Sequence, residues 1–238
     1  QLEREAFLRL RQSPQSDALR YAFAAEKKSN KHGYQAQPLP VNTVGVIGGG
    51  TMGAGIATAA LLAGLSVVML EMSAEAAEAA KGRIAGNLQG ALKRGKITED
   101  QFTRLTEEAL TLAVDYAALS EADLVIEAVF EEMSVKKEVF GKLDAHCKQG
   151  AILATNTSYL DVNEIAAATS RPEDVIGLHF FSPAHVMKLL EVVVAEKTAP
   201  EVLATGFSLG KRLKKVAVRS GICDGFIGNR IMNAYRKA

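Results

Sequence analysis

The chain has no tryptophan, two cysteines and six prolines in 238 residues, and a formal net charge of only +1. Each shortage excludes something. Cys147 and Cys223 lie far apart and lack the paired spacing of a zinc site, so no metal is expected. They read as two reduced thiols in a reducing compartment. A near-neutral balance gives no electrostatic case for nucleic acid or an anionic membrane as partner. No apolar run approaches the ~20 residues of a membrane-spanning helix. No internal repeat and no low-complexity segment is seen, no signal sequence is expected, and a cytoplasmic location is expected, with peroxisome and mitochondrion left open. What remains is an ordinary globular composition, 48% hydrophobic and 23% charged, enough for one large domain with appendages.

The most informative stretch runs from Thr43 to Glu71. Val44-Gly45-Val46-Ile47 reads as a buried parallel strand. It runs into Gly48-Gly49-Gly50-Thr51-Met52-Gly53, in which Gly48, Gly50 and Gly53 fit G-x-G-x-x-G. Gly48 permits a tight turn out of the strand. Gly50, without a Cβ, lets a pyrophosphate touch backbone, and Gly53 lets the following helix lie close on the sheet. Thr51 and Met52 complete this glycine stretch, and the helix expected after it, Ala54 to Ala63 ended by Gly64, offers at its N-terminus free amides and a partial positive charge that suit a diphosphate. A second strand, Ser66 to Leu70, ends at Glu71. A carboxylate there accepts hydrogen bonds from both ribose hydroxyls and repels a 2′-phosphate, so NAD is expected rather than NADP. A solvated acid at a strand end is the bland alternative.

Strand and helix patterns alternate along the rest of the chain. Helices are expected at Ala74 to Lys93, from Thr98 to about Glu108 behind a capping box with Gln101, at Ser134 to Cys147, Val162 to Ala168 and Ala199 to Leu213. Strands are expected at Leu110 to Val114, Leu124 to Val129, Ala151 to Ala154, Val175 to Phe180, Lys188 to Ala195 and Lys215 to Arg219. This pattern predicts an α/β fold, a doubly wound Rossmann-type, mostly parallel sheet. A helical connector precedes it, with helices before Ser13-Pro14 and from Asp17 to Lys28, the second capped by Ser16 and its end complemented by Lys27, Lys28 and Lys31. The expected division is connector and linker over 1–40, nucleotide-binding domain over 41–222, and the start of a further helical domain over 223–238. The opening Gln1 and the ending inside a helical pattern read as a piece of a longer protein.

Ligands of such sheets bind beyond the carboxyl ends of the strands, where Glu71, Glu131, Ser158 and His179 are expected. Oxidising an alcohol with NAD requires a base for the hydroxyl proton, and histidine suits neutral pH. His32 falls in the linker, His146 on a charged helix and His185 in a proline-containing loop. His179 alone sits at a strand end among apolar residues. Glu191 interrupts an apolar run, and a buried acid needs a partner. A chain reversal between Ser182 and Met187 would bring Glu191 to His179, where it could fix the tautomer and stabilise an imidazolium. A core histidine and a solvent-facing Glu191 are the structural alternatives.

With these residues in view, the sequence resembles the 3-hydroxyacyl-CoA dehydrogenase family from about Val41 to the C-terminus. The matching motifs are GVIGGGTMGAGIA, VIEAVFE, ATNTSYL, GLHFFSPAHVMKLLEVV and DGFIGNRI, in the family's order. The resemblance implies that NAD takes hydride from C3 of an L-3-hydroxyacyl-CoA in fatty-acid β-oxidation. It implies His179 as general base, Glu191 as its orienting partner, and Ser158 and Asn229 at the substrate oxygen. It also implies Glu71 on the adenosine ribose, Glu131 and Lys136 along the nicotinamide half, and Asn87 and Arg94 toward coenzyme A. Tyr159 departs from the family, which commonly has a small residue there. Residues 1–40 resemble the connector of multifunctional enzymes, in which a hydratase domain precedes and a helical domain follows. Neither is expected in this chain, so NAD binding with poor turnover is expected. A non-catalytic nucleotide-binding module and a doubly wound methyltransferase are the competing readings.

Overall fold

The computed structural model describes residues 1–29, 33 and 35–237. Lys31 at the expected helix end, His32 in the linker and the terminal Ala238 lie outside the described residues.

An eight-stranded sheet organises the chain, in the order β3-β2-β1-β4-β5-β6-β7-β8. Its strands are β1 (Thr43–Ile47), β2 (Ser66–Leu70), β3 (Leu110–Ala113), β4 (Leu124–Glu127), β5 (Ile152–Thr155), β6 (Val175–Phe180), β7 (Leu189–Val193) and β8 (Val216–Ser220). The central strands are apolar on both faces, as a sheet covered on both sides demands. Strands β1 to β6 pair in parallel. The alternation breaks once, because β7 returns antiparallel beside β6 with no helix between them.

Helices α1 (Leu2–Arg11) and α2 (Pro14–Ser29) precede the sheet. The second begins at Pro14 and not at Asp17, because proline is preorganised for a first turn and the Ser13 hydroxyl accepts from Ser16 N at 3.2 Å. Ser13, and not Ser16, is therefore the capping side chain. Neither helix has a buried residue.

The sheet is covered by α3 (Thr51–Leu62), α4 (Ala74–Lys93), α5 (Glu99–Glu107), α6 (Met133–His146), α7 (Val162–Ala166) and α8 (Pro200–Arg212), and α9 (Gly228–Lys237) ends the chain. Ser73 caps α4 through Ala76 N, and Thr98 with Gln101 forms the expected capping box on α5. One core cluster joins Ile56, Leu61, Ile84 and Leu88 of α3 and α4 to the sheet. Burying each such side chain contributes roughly 2 kcal/mol. The cluster on the opposite face includes Phe140, Leu143, Ile165 and Phe226. Phe226 thus packs into the sheet domain from beyond the expected boundary at 222. Among the described residues no helix is long and apolar enough to cross a membrane.

Candidate functional site

The carboxyl ends of the parallel strands form one edge, and there the glycine turn is pressed between its neighbours. Gly48 has φ 89°, and a Cβ on it would stand 2.9 Å from Ala128 O. A Cβ on Gly53 would meet Gly48 O at 1.7 Å, so only glycine lets α3 start this close to the turn. Gly50 differs, since a Cβ there would meet nothing within 4 Å. It is the N-cap of α3 and offers the first-turn amides no side-chain acceptor. Those amides, with the helix dipole, therefore face open space that suits an anionic diphosphate. Glu71 stands beside them, its carboxylate accepting from Gly49 N at 2.5 Å and from Met72 N at 3.1 Å. A cleft of about 790 Å³ runs from Gly48, Gly50 and Glu71 past Val129 to α6. It is lined by largely apolar side chains, as a mononucleotide half-site would be.

Three strands over from β1, the antiparallel register of β6 and β7 sets His179 directly opposite Glu191. His179 is 3% exposed and Glu191 0%. The Nδ1 and Oε2 atoms are 2.6 Å apart. An ionised carboxylate only accepts, so Nδ1 donates and the lone pair is left on Nε2. The other oxygen of Glu191 accepts from Ile227 N at 3.0 Å and Gly228 N at 2.7 Å. The ring of Phe181 lies 4.4 Å from the imidazole centroid and that of Phe226 5.6 Å. The chain thus supplies a buried acid–base pair, and the solvent-facing alternative for Glu191 is excluded.

A second buried network supports the turn after β5. Glu127 is 0% exposed. It accepts from Lys136 Nζ at 2.6 Å, Val129 N at 2.8 Å and Thr155 Oγ1 at 2.8 Å. Its bend onto Val129 N ends β4 two residues earlier than the apolar pattern suggests. Lys136, itself buried, also reaches Glu131 Oε2 at 3.3 Å. Glu131 Oε1 accepts from Thr157 Oγ1 and Ser158 N, both at 2.6 Å, and from Tyr159 N at 3.2 Å. Burial alone would raise the Glu131 pKa, but the Thr157 and Ser158 hydrogen bonds and the Lys136 charge hold it below the usual carboxylate value.

The 3-hydroxyacyl-CoA dehydrogenase NAD-binding domain model matches residues 43–223, which is most of the chain. The chain belongs to the 3-hydroxyacyl-CoA dehydrogenase family. It is 45% identical to the peroxisomal bifunctional enzyme of Homo sapiens, over 98% of this chain and 33% of that protein. It is 41% identical to a peroxisomal fatty acid β-oxidation multifunctional protein of Oryza sativa, over 98% of this chain and 32% of the relative. The chain therefore spans about a third of the length of these relatives. Among solved structures it is similar to 3-hydroxybutyryl-CoA dehydrogenase of Escherichia coli K12. That match has a TM-score of 0.80 and 44% identity, over 84% of this chain and 42% of that one. The (S)-3-hydroxybutyryl-CoA dehydrogenase of Ralstonia eutropha gives a TM-score of 0.78 and 34% identity, over 81% and 68% respectively. Family and fold make the glycine turn part of an NAD-binding domain, which sets the methyltransferase reading aside.

The remaining residues singled out by the 3-hydroxyacyl-CoA dehydrogenase resemblance fall in three places. Ser158 is half-buried in the turn held by Glu131, and Tyr159 beside it is exposed. Asn229 stands in the first turn of α9, one residue beyond the Gly228 amide that meets Glu191. Asn87 lies on α4 and donates to Thr58 Oγ1 at 3.2 Å, and Arg94 is the C-cap of the same helix. In the β6–β7 loop, burial first, and then the charges of Lys215 and Arg94, push the His185 pKa down. Lys215 pins that loop through Ala184 O at 2.5 Å and Met187 O at 2.6 Å. Pattern reading missed Asn156, whose Oδ1 accepts from Phe180 N at 2.9 Å. It also missed the Ile227–Gly228 amides and the Glu127 network. A buried acid at Glu127 with a lysine nine residues on was the available signal for the last.

Proposed function

We propose that this chain carries the dehydrogenase chemistry of a longer fatty-acid β-oxidation enzyme, the NAD-dependent oxidation of an L-3-hydroxyacyl-CoA to the 3-ketoacyl-CoA. The His179–Glu191 pair, buried at the strand edge that also bears the glycine cradle, is the observation that carries this reading. His179 takes the 3-hydroxyl proton on Nε2. Glu191 keeps the other ring nitrogen protonated and lowers the energy of the imidazolium. Ser158 and Asn229 orient the substrate oxygen. The α3 amides and Glu71 hold the diphosphate and the adenosine ribose, Glu131 and Lys136 border the nicotinamide half, and Asn87 and Arg94 face coenzyme A. When bound, NAD supplies the acceptor for the C3 hydride.

The three parts, 1–40, 41–222 and 223–238, serve in this reading as connector, catalytic sheet and lead-in to a helical domain. Exposed Phe7, Leu19 and Phe23 on α1 and α2, and Ile231, Met232 and Tyr235 on α9, support contacts with an upstream hydratase domain and a downstream helical domain. Water reaches Ser158 and Asn229 in the isolated chain, which weakens preorganised electrostatics. This favours a second reading, an isolated piece that binds NAD and turns over poorly. Of the compartments left open by the sequence, the peroxisome agrees with the names of the relatives.

Following NADH at 340 nm with acetoacetyl-CoA, beside a fluorescence titration of NADH, tests both readings. Binding with turnover abolished by H179Q supports the full reaction. Binding without turnover supports the second reading. Absence of NADH binding overturns both.

A further inference from the structure

The cleft beside Glu71 extends beyond a ribose position. Val114 and Tyr116 line it together with Val135 and Val139 of α6. An apolar lining of this kind suits an aromatic base. Helix α6 runs back from the strand tips, so Lys142 stands roughly 10 Å further from them than Val135, at 1.5 Å per residue. Glu138 and Lys142 line the same cleft. They are one helical turn apart, their charged atoms meet at 2.6 Å, and the Lys142 ammonium lies 5.5 Å over the Tyr116 ring. An exposed pair at this spacing adds little to helix stability, so stability alone gives a weak account of an acceptor and a donor side by side in the wall of a nucleotide cleft.

We propose that Glu138 and Lys142 read the base of the dinucleotide. Glu138 accepts from the 6-amino group of adenine and Lys142 donates to N1. Adenine presents a donor beside an acceptor on this edge. Hypoxanthine presents the opposite order, an acceptor at O6 beside a donor at N1. A site built to pair with one order discriminates against the other, because its polar groups are left mismatched. The proposal deepens the reading of Gly48 to Glu71 as an NAD cradle and rests on it.

The test is a fluorescence titration of the native chain with NADH and with reduced nicotinamide hypoxanthine dinucleotide, which share the reporting nicotinamide. It is repeated on the charge-swapped variant E138K/K142E, which keeps an ion pair on α6 in reversed order. The native chain is expected to bind NADH at least three-fold more tightly than the hypoxanthine analogue, and the swapped variant to lose or invert that preference. A native preference below three-fold, or one that survives the swap, overturns the proposal. Failure of both dinucleotides to bind the native chain overturns the cradle itself, a distinguishable result.

Discussion

Glu191 holds His179 Nδ1 with one carboxylate oxygen and the opening amides of α9 with the other. The acid that sets the His179 tautomer is therefore also the acceptor on which the last helix begins. Glu191→Gln keeps the shape and reverses a donor and an acceptor. Its kcat is expected to fall by about two to four orders of magnitude, with NADH affinity within two-fold of native. A drop in NADH affinity as large as the drop in kcat would place Glu191 in cofactor binding instead.

The glycine turn separates two kinds of small residue. Gly50→Ala meets no protein atom within 4 Å, so its melting temperature should match the native one while NADH affinity falls at least ten-fold. Gly53→Ala drives a methyl into Gly48 O and should lose both stability and binding. Thermal melts with and without NADH distinguish these outcomes, and equal loss of stability in the two variants would refute the distinction.

The Glu127–Lys136 pair is fully buried. Removing one partner strands the other, so Lys136→Met should cost about 3–5 kcal/mol in urea unfolding. The Glu127→Gln/Lys136→Met double variant should recover part of that loss, because no fully buried charge is left unpaired and Glu131, the other partner of Lys136, is partly exposed. Additive losses in the double variant would show the two side chains to be uncoupled.

Glu131 gives a pH signature. Its pKa in the folded chain lies below its ordinary value of 4.5. The folded state therefore binds fewer protons than the unfolded one, and the stabilisation is complete above that ordinary value and fades as pH falls below it. The stability difference between the native chain and Glu131→Gln should be constant at neutral pH and shrink on acidification through this window. A difference that grows on acidification contradicts the assignment.

Much of the fold was legible because parallel strands buried on two faces leave continuous apolar runs, and because Thr98 and Gly64 mark helix ends, while the Ser73 cap of α4 emerged only in the structure. The pairing of His179 with Glu191 was legible for a similar reason, since an acid inside an apolar run demands a partner. The Ser13 cap was harder to read, because Ser16 offers the same chemistry three residues away and Pro14 decides between them. Asn156 and the Ile227–Gly228 amides were hidden. Their roles depend on backbone groups brought close by the sheet, and backbone leaves no compositional trace.

The position of the acid and base on one hairpin has a consequence for how this chemistry is assembled and inherited. His179 and Glu191 are twelve residues apart, so the pair forms whenever β6 and β7 zip together, with only a short loop to close. The glycine turn and Glu71 are placed separately, by β1 and β2. The buried acid–histidine pair and the glycine turn are thus two locally encoded modules on a shared edge, and in the proposed reading substitutions that retune the nucleotide half leave the proton-transfer half free to persist unchanged.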